Sequence, residues 1–234
     1  MKKKYIHLFF DLDDTLWDTA HNSKVSMQEI FDEYNFGRFY PSFDDFYKVY
    51  LEYNNNLWSG YNKGLVKKED IILYRFYHLF KDFNAFSLEE AQDMNKTFLN
   101  KTSFREKTVE GAISLLESLK NRYRLHIISN GFSELQFIKM KRAGLSGYFD
   151  QVVLSDKVGV NKPFPYIFEY ALDKANAKKD ESLMIGDSLE TDIKGAQAFG
   201  LDQVWFNPSG ADPKGIVSTY EVKSLAELSR LLAS

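Results

Sequence analysis

The sequence predicts an α/β protein: a doubly wound, parallel sheet of Rossmann-like type with an all-helical unit inserted after its first strand. Three observations predict it. Short β-rich runs at 5–10, 124–128, 151–154, 182–185 and 203–206 recur with helical patterns between them, the signature of βαβ units and of a sheet covered on both faces. Residues 19–104 break that alternation and contain no alternating strand pattern. Aromatic residues crowd the same stretch. Of the chain's 20 Phe, 14 Tyr and 3 Trp, almost half fall between residues 31 and 86, about a quarter of the length. The expected organisation is therefore a core of 1–18 and 105–234 and a helical unit of 19–104.

Each element has its own warrant. The first strand, 5–10, is an apolar run that stops at Asp11. Within the insertion, apolar residues step by three and four, the helical period. Val25, Ile30, Phe31 and Tyr34 mark a helix over 23–35. Phe43, Phe46, Tyr47 and Tyr50 mark one over 42–57, and Ile71, Tyr74, Tyr77 and Leu79 one over 68–82; a last helix near 88–100 leads out. After the strand at 124–128, Ser133-Glu134-Leu135-Gln136 reads as a capping box and Gly144 as the end of that helix. Pro163 is placed to start the helix after 151–154. Ser188 is placed to cap the helix after 182–185, and Gly200 to end it before 203–206.

Composition sets the outer limits. The chain has 234 residues, a net charge of −3 and no cysteine. The missing cysteines exclude disulfides, thiolate catalysis and Cys-ligated zinc or iron–sulfur centres. The near-neutral balance gives no reason to expect a nucleic acid polymer as partner. Lys2, Lys3 and Lys4 resemble the charged start of an export signal, but the apolar run behind them ends at Asp11. A signal needs roughly 7–15 apolar residues and a spanning helix about 20. A cytoplasmic protein with no membrane partner is expected.

Four polar clusters lie at the predicted strand ends. Asp11-Leu12-Asp13-Asp14-Thr15 follows the first strand, and such crowded carboxylates raise one another's pKa unless a cation holds them. Ser129-Asn130-Gly131 opens a helix, whose amides and dipole seat an anion. Lys162 stands in Gly159-Val160-Asn161-Lys162-Pro163. Asp187 ends the strand 182–185 within Gly186-Asp187-Ser188-Leu189-Glu190-Thr191-Asp192, with Asp192 about one helical turn on. Each alone reads as an acidic turn, a junction or a surface lysine. Together they supply carboxylates for a metal and a hydroxyl and lysine for an anion, in order along one sheet.

This set resembles the haloacid dehalogenase superfamily of aspartate-nucleophile phosphatases, whose D-x-D-x-T, strand-end Ser/Thr, Lys-Pro and G-D-x-x-x-x-D motifs match Asp11/Asp13/Thr15, Ser129, Lys162-Pro163 and Gly186-Asp187…Asp192. The insertion lies where that family carries its helical cap. Asp14 departs from the pattern, since glycine is commonest there. Asn56-Leu57-Trp58…Tyr61…Gly64, Ser129-Asn130-Gly131-Phe132 and Gly144-Leu145…Tyr148-Phe149-Asp150 are similar to the bacterial pyrimidine 5′-nucleotidases of the superfamily, which act on nucleoside monophosphates in a house-cleaning role. Sugar-phosphate and N-acylneuraminate phosphatases share much of the pattern.

The resemblance implies a Mg²⁺-dependent phosphatase acting on a small-molecule phosphomonoester through an aspartyl-phosphate. Asp11 is then the nucleophile and Asp13 the acid and base. Asp11, the backbone carbonyl of Asp13, and Asp187 hold Mg²⁺, and Asp192 orients Lys162 or a metal-bound water. Ser129 and the Asn130 amide bind phosphate, Lys162 neutralises charge, and Thr15 braces the nucleophile loop within the phosphate-binding set. The cap is the expected lid, with Asn54, Asn56, Trp58 and Tyr61 as candidates for substrate contact. His7 and His126 read as core residues; His21 and His78 have no assigned role. A phosphoglucomutase-like isomerase on the same core is the alternative. A dehalogenase would lack Asp13, and a catalytically dead binding module would not keep every motif.

Overall fold

In the computed structural model, which describes residues 5–233, six parallel strands form one sheet in the order β3-β2-β1-β4-β5-β6. The strands are β1 His7–Phe10, β2 Arg124–Ser129, β3 Gln151–Leu154, β4 Ser182–Gly186, β5 Asp202–Phe206 and β6 Tyr220–Val222. The five expected strands are present. The sixth, β6, spans only three residues, too few to show a period of two. The chain leaves β1 for β2 and β3 on one side and returns to β4 on the other. The order therefore reverses between β1 and β4, and in doubly wound sheets ligands bind in the crevice beyond the strand ends at such a point.

All four residues of β1 are buried because both faces of the sheet are covered. Leu8 and Phe10 pack with Leu125, Ile127 and Ile185 against α5 (Ala112–Leu119) and α10 (Leu225–Ala233). Phe9 faces the other way, with Met184, Ile167 and Phe168, against α8 (Pro165–Ala175) and α9 (Lys194–Phe199). The lysines at positions 2–4, expected as a charged start, lie outside the described residues. Among the described residues, no helix is long and apolar enough to cross a membrane.

The chain divides into two compact units: one comprises the described residues up to Thr19 with those from Glu106 on, and the other is Ala20–Arg105. The second is built from α1 (Thr19–Glu33), α2 (Phe43–Asn62), α3 (Lys68–Phe80) and α4 (Leu88–Ser103). Ser42 caps α2 by accepting from the Asp45 amide at 3.1 Å. Ser87 and Glu90 form a reciprocal capping box on α4, which satisfies two of the otherwise orphan amides. The aromatic bias fills this small core: Phe36 meets Phe80 at 4.4 Å and Phe46 at 5.3 Å between ring centres, mostly tilted or edge-on.

Arg75 is the exception inside that core. It is 2% exposed, and its polar partner is the neutral Asn95, at 3.3 Å. Its Nε and the Asn95 Nδ2 are buried without a partner, though the guanidinium lies 5.4 Å from the Phe98 ring centre. Uncompensated buried charge destabilises. The double variant Arg75→Met/Asn95→Leu is expected to melt at the same temperature as the parent protein or higher, by calorimetry.

His7 and His126 are core residues, as expected. Their Nδ1 and Nε2 atoms sit 3.0 Å apart, and His126 also stacks on Phe9 at 4.7 Å. One nitrogen must donate and the other accept, so at least one ring of the pair is neutral. Burial, and then the neighbouring His7, push His126 down to about 4. The unfolded chain takes up this proton near pH 6.5, so between pH 6.5 and 4 it binds more protons than the fold. The contribution of His126 to stability therefore falls as pH falls through that window, by up to about 3 kcal/mol. Urea unfolding of the parent protein and of His126→Phe across pH 7 to 4 should differ by this slope, the parent losing stability relative to the variant as pH falls.

Candidate active site

Four strand and loop ends converge at the reversal point. Asp11 follows β1, with its amide donating to the Ile185 carbonyl of β4 at 2.8 Å. Asp187 follows β4, Ser129 ends β2, and Lys162 lies ahead of α8. The Lys162 side chain is the hub. Its Nζ lies 2.6 Å from Asp11 Oδ1, 2.7 Å from Asp192 Oδ1 and 2.7 Å from the Ile128 carbonyl, and the residue is 2% exposed. An ammonium has three protons, and three oxygens surround it.

The backbone beneath this lysine is pinned by a neighbouring loop. Asn130 accepts from the Lys162 amide and donates to the Lys162 carbonyl, each at 2.8 Å. The Asn130 side chain is thus engaged with Lys162. The helix start expected at Pro163 is corrected here: α8 begins at Pro165, with Phe164 as its cap. The residues before it are held in a turn, with the Phe164 amide on the Asn161 carbonyl at 3.0 Å. Pro165 has the φ that a first helical position needs.

Asp192 sits in a π-type turn, Leu189–Ile193, capped by Ser188. Its other oxygen accepts from the Ser188 amide at 3.1 Å. Gly186 makes room for this carboxylate, since a Cβ there would stand 2.2 Å from Asp192 Oδ2. Thr15 is fully buried; its hydroxyl donates to Asp187 Oδ1 and accepts from the Asp187 amide, both at 3.1 Å. It therefore braces Asp187. Asp14 has φ 58°, a left-handed conformation that glycine adopts most easily and aspartate tolerates, which accounts for the departure at this position.

Asp13 turns its carboxylate away from Lys162. Gln136 Nε2 donates to Oδ2 at 2.6 Å, and Lys139 Nζ and Thr19 Oγ1 donate to Oδ1 at 2.7 and 2.9 Å. Gln136 and Lys139 belong to α6 (Ser133–Arg142) and were not among the expected site residues. The usable signal is their spacing, i and i+3 on the helix that follows Ser129. The capping box expected at Ser133–Gln136 is not formed. Ser133 is already helical, and its amide and hydroxyl go to Asp156 Oδ2 at 2.9 and 3.0 Å. A charged acceptor supplied by the short helix α7 (Ser155–Val158) takes the amide instead.

The charges are unevenly shared. Burial raises the Asp11 carboxyl to about 7, Asp192 and Asp13 add to that, and Lys162 pulls against it. Burial, then Asp11, Asp192 and Asp14, push Asp187 well above the usual carboxylate range. Burial works against the Lys162 charge, but Asp11 and Asp192 outweigh it and hold the ammonium above its ordinary pKa. Burial would raise Asp13 too, yet the Lys139 charge and its hydrogen bonds hold it low. Oxygen atoms of Asp11, Asp187 and Asp192 all lie within 4.8 Å of one another. Such crowded carboxylates raise one another's pKa unless a cation holds them, and all-oxygen donors suit a hard divalent cation. The residues present therefore fit such an ion.

Asn54, Asn56, Trp58 and Tyr61 lie on α2 in the other unit. Trp58 meets Tyr61 edge-on at 5.5 Å. Asn54 stands on the same side of the helix, and its Oδ1 is buried without a partner. Asn56, two residues on, is exposed on the opposite side.

Comparison with known proteins agrees with this geometry. The family of haloacid dehalogenase-like hydrolases matches residues 8–206. The chain is 36% identical to the pyrimidine 5′-nucleotidase YjjG of Escherichia coli, with 98% of each chain covered. It is 31% identical to the pyrimidine 5′-nucleotidase PynA of Streptococcus pneumoniae, covering 96% of this chain and 93% of that one. The crystal structure of the HAD-hydrolase YfnB from Bacillus subtilis, bound to magnesium, superposes with a TM-score of 0.90 at 28% identity over 99% of this chain and all of that one. With this sheet order and these strand-end residues, the chain belongs to the haloacid dehalogenase-like hydrolases.

Proposed function

We propose that this protein hydrolyses phosphoric monoesters, with nucleoside 5′-monophosphates bearing pyrimidine bases as its substrates. The observation that carries the reading is the buried Asp11 carboxylate, held 2.6 Å from Lys162 at the end of β1. The two relatives named as pyrimidine 5′-nucleotidases support the choice of substrate. The protein acts in the cytoplasm on a soluble small molecule.

In this reading, a carboxylate oxygen of Asp11 forms a bond to phosphorus as the ester P–O bond breaks. The leaving oxygen takes a proton from Asp13. Water then attacks the phosphorus of the aspartyl-phosphate as the Asp11 O–P bond breaks, Asp13 takes the proton from that water, and phosphate leaves with the Asp11 carboxylate restored. Lys139 holds Asp13 ionised at rest, the form the second half needs; an arriving phosphate, itself negative, raises its pKa for the first. Lys162 balances charge that develops on the transferring group. Ser129 accepts from the Gly131 amide and from Gln136, so its own proton is directed to a phosphate oxygen, beside the Asn130 backbone amide. Thr15 holds Asp187, and Asp192 holds Lys162.

Asp11, Asp187 and the Asp13 carbonyl would hold Mg²⁺, whose charge lets the nucleophile meet a phosphate dianion. The magnesium of the Bacillus relative supports that choice. The helical unit, taken as 19–104 beside a core of 1–18 and 105–234, supplies selectivity. Trp58 and Tyr61 offer ring faces to a base and Asn54 offers an amide to its edge, whereas Asn56, exposed on the opposite side of α2, does not join them.

Two measurements test this. Phosphate release is expected from pyrimidine monophosphates in Mg²⁺, lost in EDTA and weaker with purine monophosphates and hexose phosphates. Preferential turnover of the sugar phosphates would overturn the substrate assignment and leave the chemistry. Asp11→Asn should lower kcat by roughly 10³-fold or more while leaving the melting temperature unchanged or higher, since it removes a crowded buried carboxylate. Normal turnover by this variant would overturn the nucleophile assignment.

A further inference from the structure

Asp13 is held by a frame that lies outside the four motifs. The Gln136 Nε2 donates both to Asp13 Oδ2 at 2.6 Å and to Ser129 Oγ at 2.7 Å. A primary amide has two hydrogens, and these two acceptors take both. The Gln136 side chain is fully buried and passes over Gly131, where a Cβ would stand 2.1 Å from Nε2. Lys139 holds the other oxygen of Asp13 at 2.7 Å, and its ammonium lies 4.4 Å from the ring centre of Trp17. Trp17 is fully buried and bridges back to Asp13 through the backbone. Thr19 Oγ1 donates to the same oxygen as Lys139 at 2.9 Å, and the two α6 groups that grip the carboxylate are themselves fixed.

We propose that Gln136 and Lys139 are positioning residues that hold the acid/base carboxylate of Asp13 at a set distance from the phosphate seat at Ser129. The inference rests on the reading of Asp11 as nucleophile and Asp13 as acid and base. A neutral amide that donates to both groups cannot relay a proton between them. What it fixes is distance: a phosphate on Ser129 places its ester oxygen at a defined reach from Asp13. Lys139 stops the carboxylate from turning about its own axis. Misplacement of a reacting group by about 1 Å can cost ~10²-fold in rate, so this frame belongs to proton delivery.

Leaving-group chemistry separates positioning from a structural role. A nucleoside monophosphate expels an alkoxide and needs the Asp13 proton; 4-nitrophenyl phosphate expels a stabilised phenolate and does not. The ratio kcat/KM reports steps only up to the first irreversible one, the cleavage of the ester. For Lys139→Met and for Gln136→Leu, kcat/KM is expected to fall about 30- to 100-fold with the nucleotide and less than about 3-fold with the aryl ester. Lys139→Arg, which restores a cation, should recover the nucleotide rate to within about 5-fold. Lys139, whose side chain keeps 11% of its surface exposed, keeps the test intact if the fully buried Gln136→Leu does not fold. Equal losses on both substrates, or none on either, would overturn the inference. Parent protein inert towards both esters would instead overturn the phosphatase reading on which it rests.

Discussion

Burying one ammonium among carboxylates organises this site, and much of the surrounding fold exists to make that burial tolerable. Lys162 is 2% exposed with Asp11 and Asp192 at 2.6 and 2.7 Å. Isolated in an apolar interior, any of these charges would be strongly destabilising. Gathered with good geometry they offset one another, though not completely. Neighbouring features serve this arrangement. Asn130 grips the Lys162 backbone from both sides. Gly186 leaves space for Asp192, and Gly195 lets α9 approach Pro163, where a Cβ would meet Pro163 Cα at 2.8 Å.

The balance is deliberately uneven. Two of the acids near the hub, Asp11 and Asp187, are pushed above their ordinary pKa, first of all by burial. Asp13 is held low by its own lysine. The site thus separates carboxylates into two environments: a crowded set that a hard cation and a phosphate would complete, and a single acid kept apart for proton transfer. Environments that drive like groups apart are how one residue type serves as both nucleophile and acid.

The helical unit follows a different logic. Its core is filled largely with Phe and Tyr rings in tilted and edge-on contacts. Large rings bury much area per residue at little rotamer entropy. The same composition that marks the unit in the sequence therefore hides which of its aromatics meet anything else, because a ring serving the core and a ring serving a ligand look alike.

The sequence by itself determined the succession of the first five strands, the helices of the insertion, and the placement of Asp11, Ser129, Lys162 and Asp187 near strand or loop ends. Apolar runs that stop at polar residues are local facts, and a parallel α/β sheet translates strand ends into one crevice. It also determined the helical insertion, through its period and its rings. Only the tertiary structure decided the partners. β6 is three residues long and pairs because β5 offers an edge. Ser133 forgoes its local capping box because Asp156, a charged acceptor on α7, takes its amide and hydroxyl. Gln136 and Lys139 read as ordinary polar helix residues until Asp13, more than 120 positions away, is brought against them. Side-chain hydrogen bonds between distant segments leave no periodic trace in a chain, since what selects them is proximity after folding and the low dielectric that makes each one count.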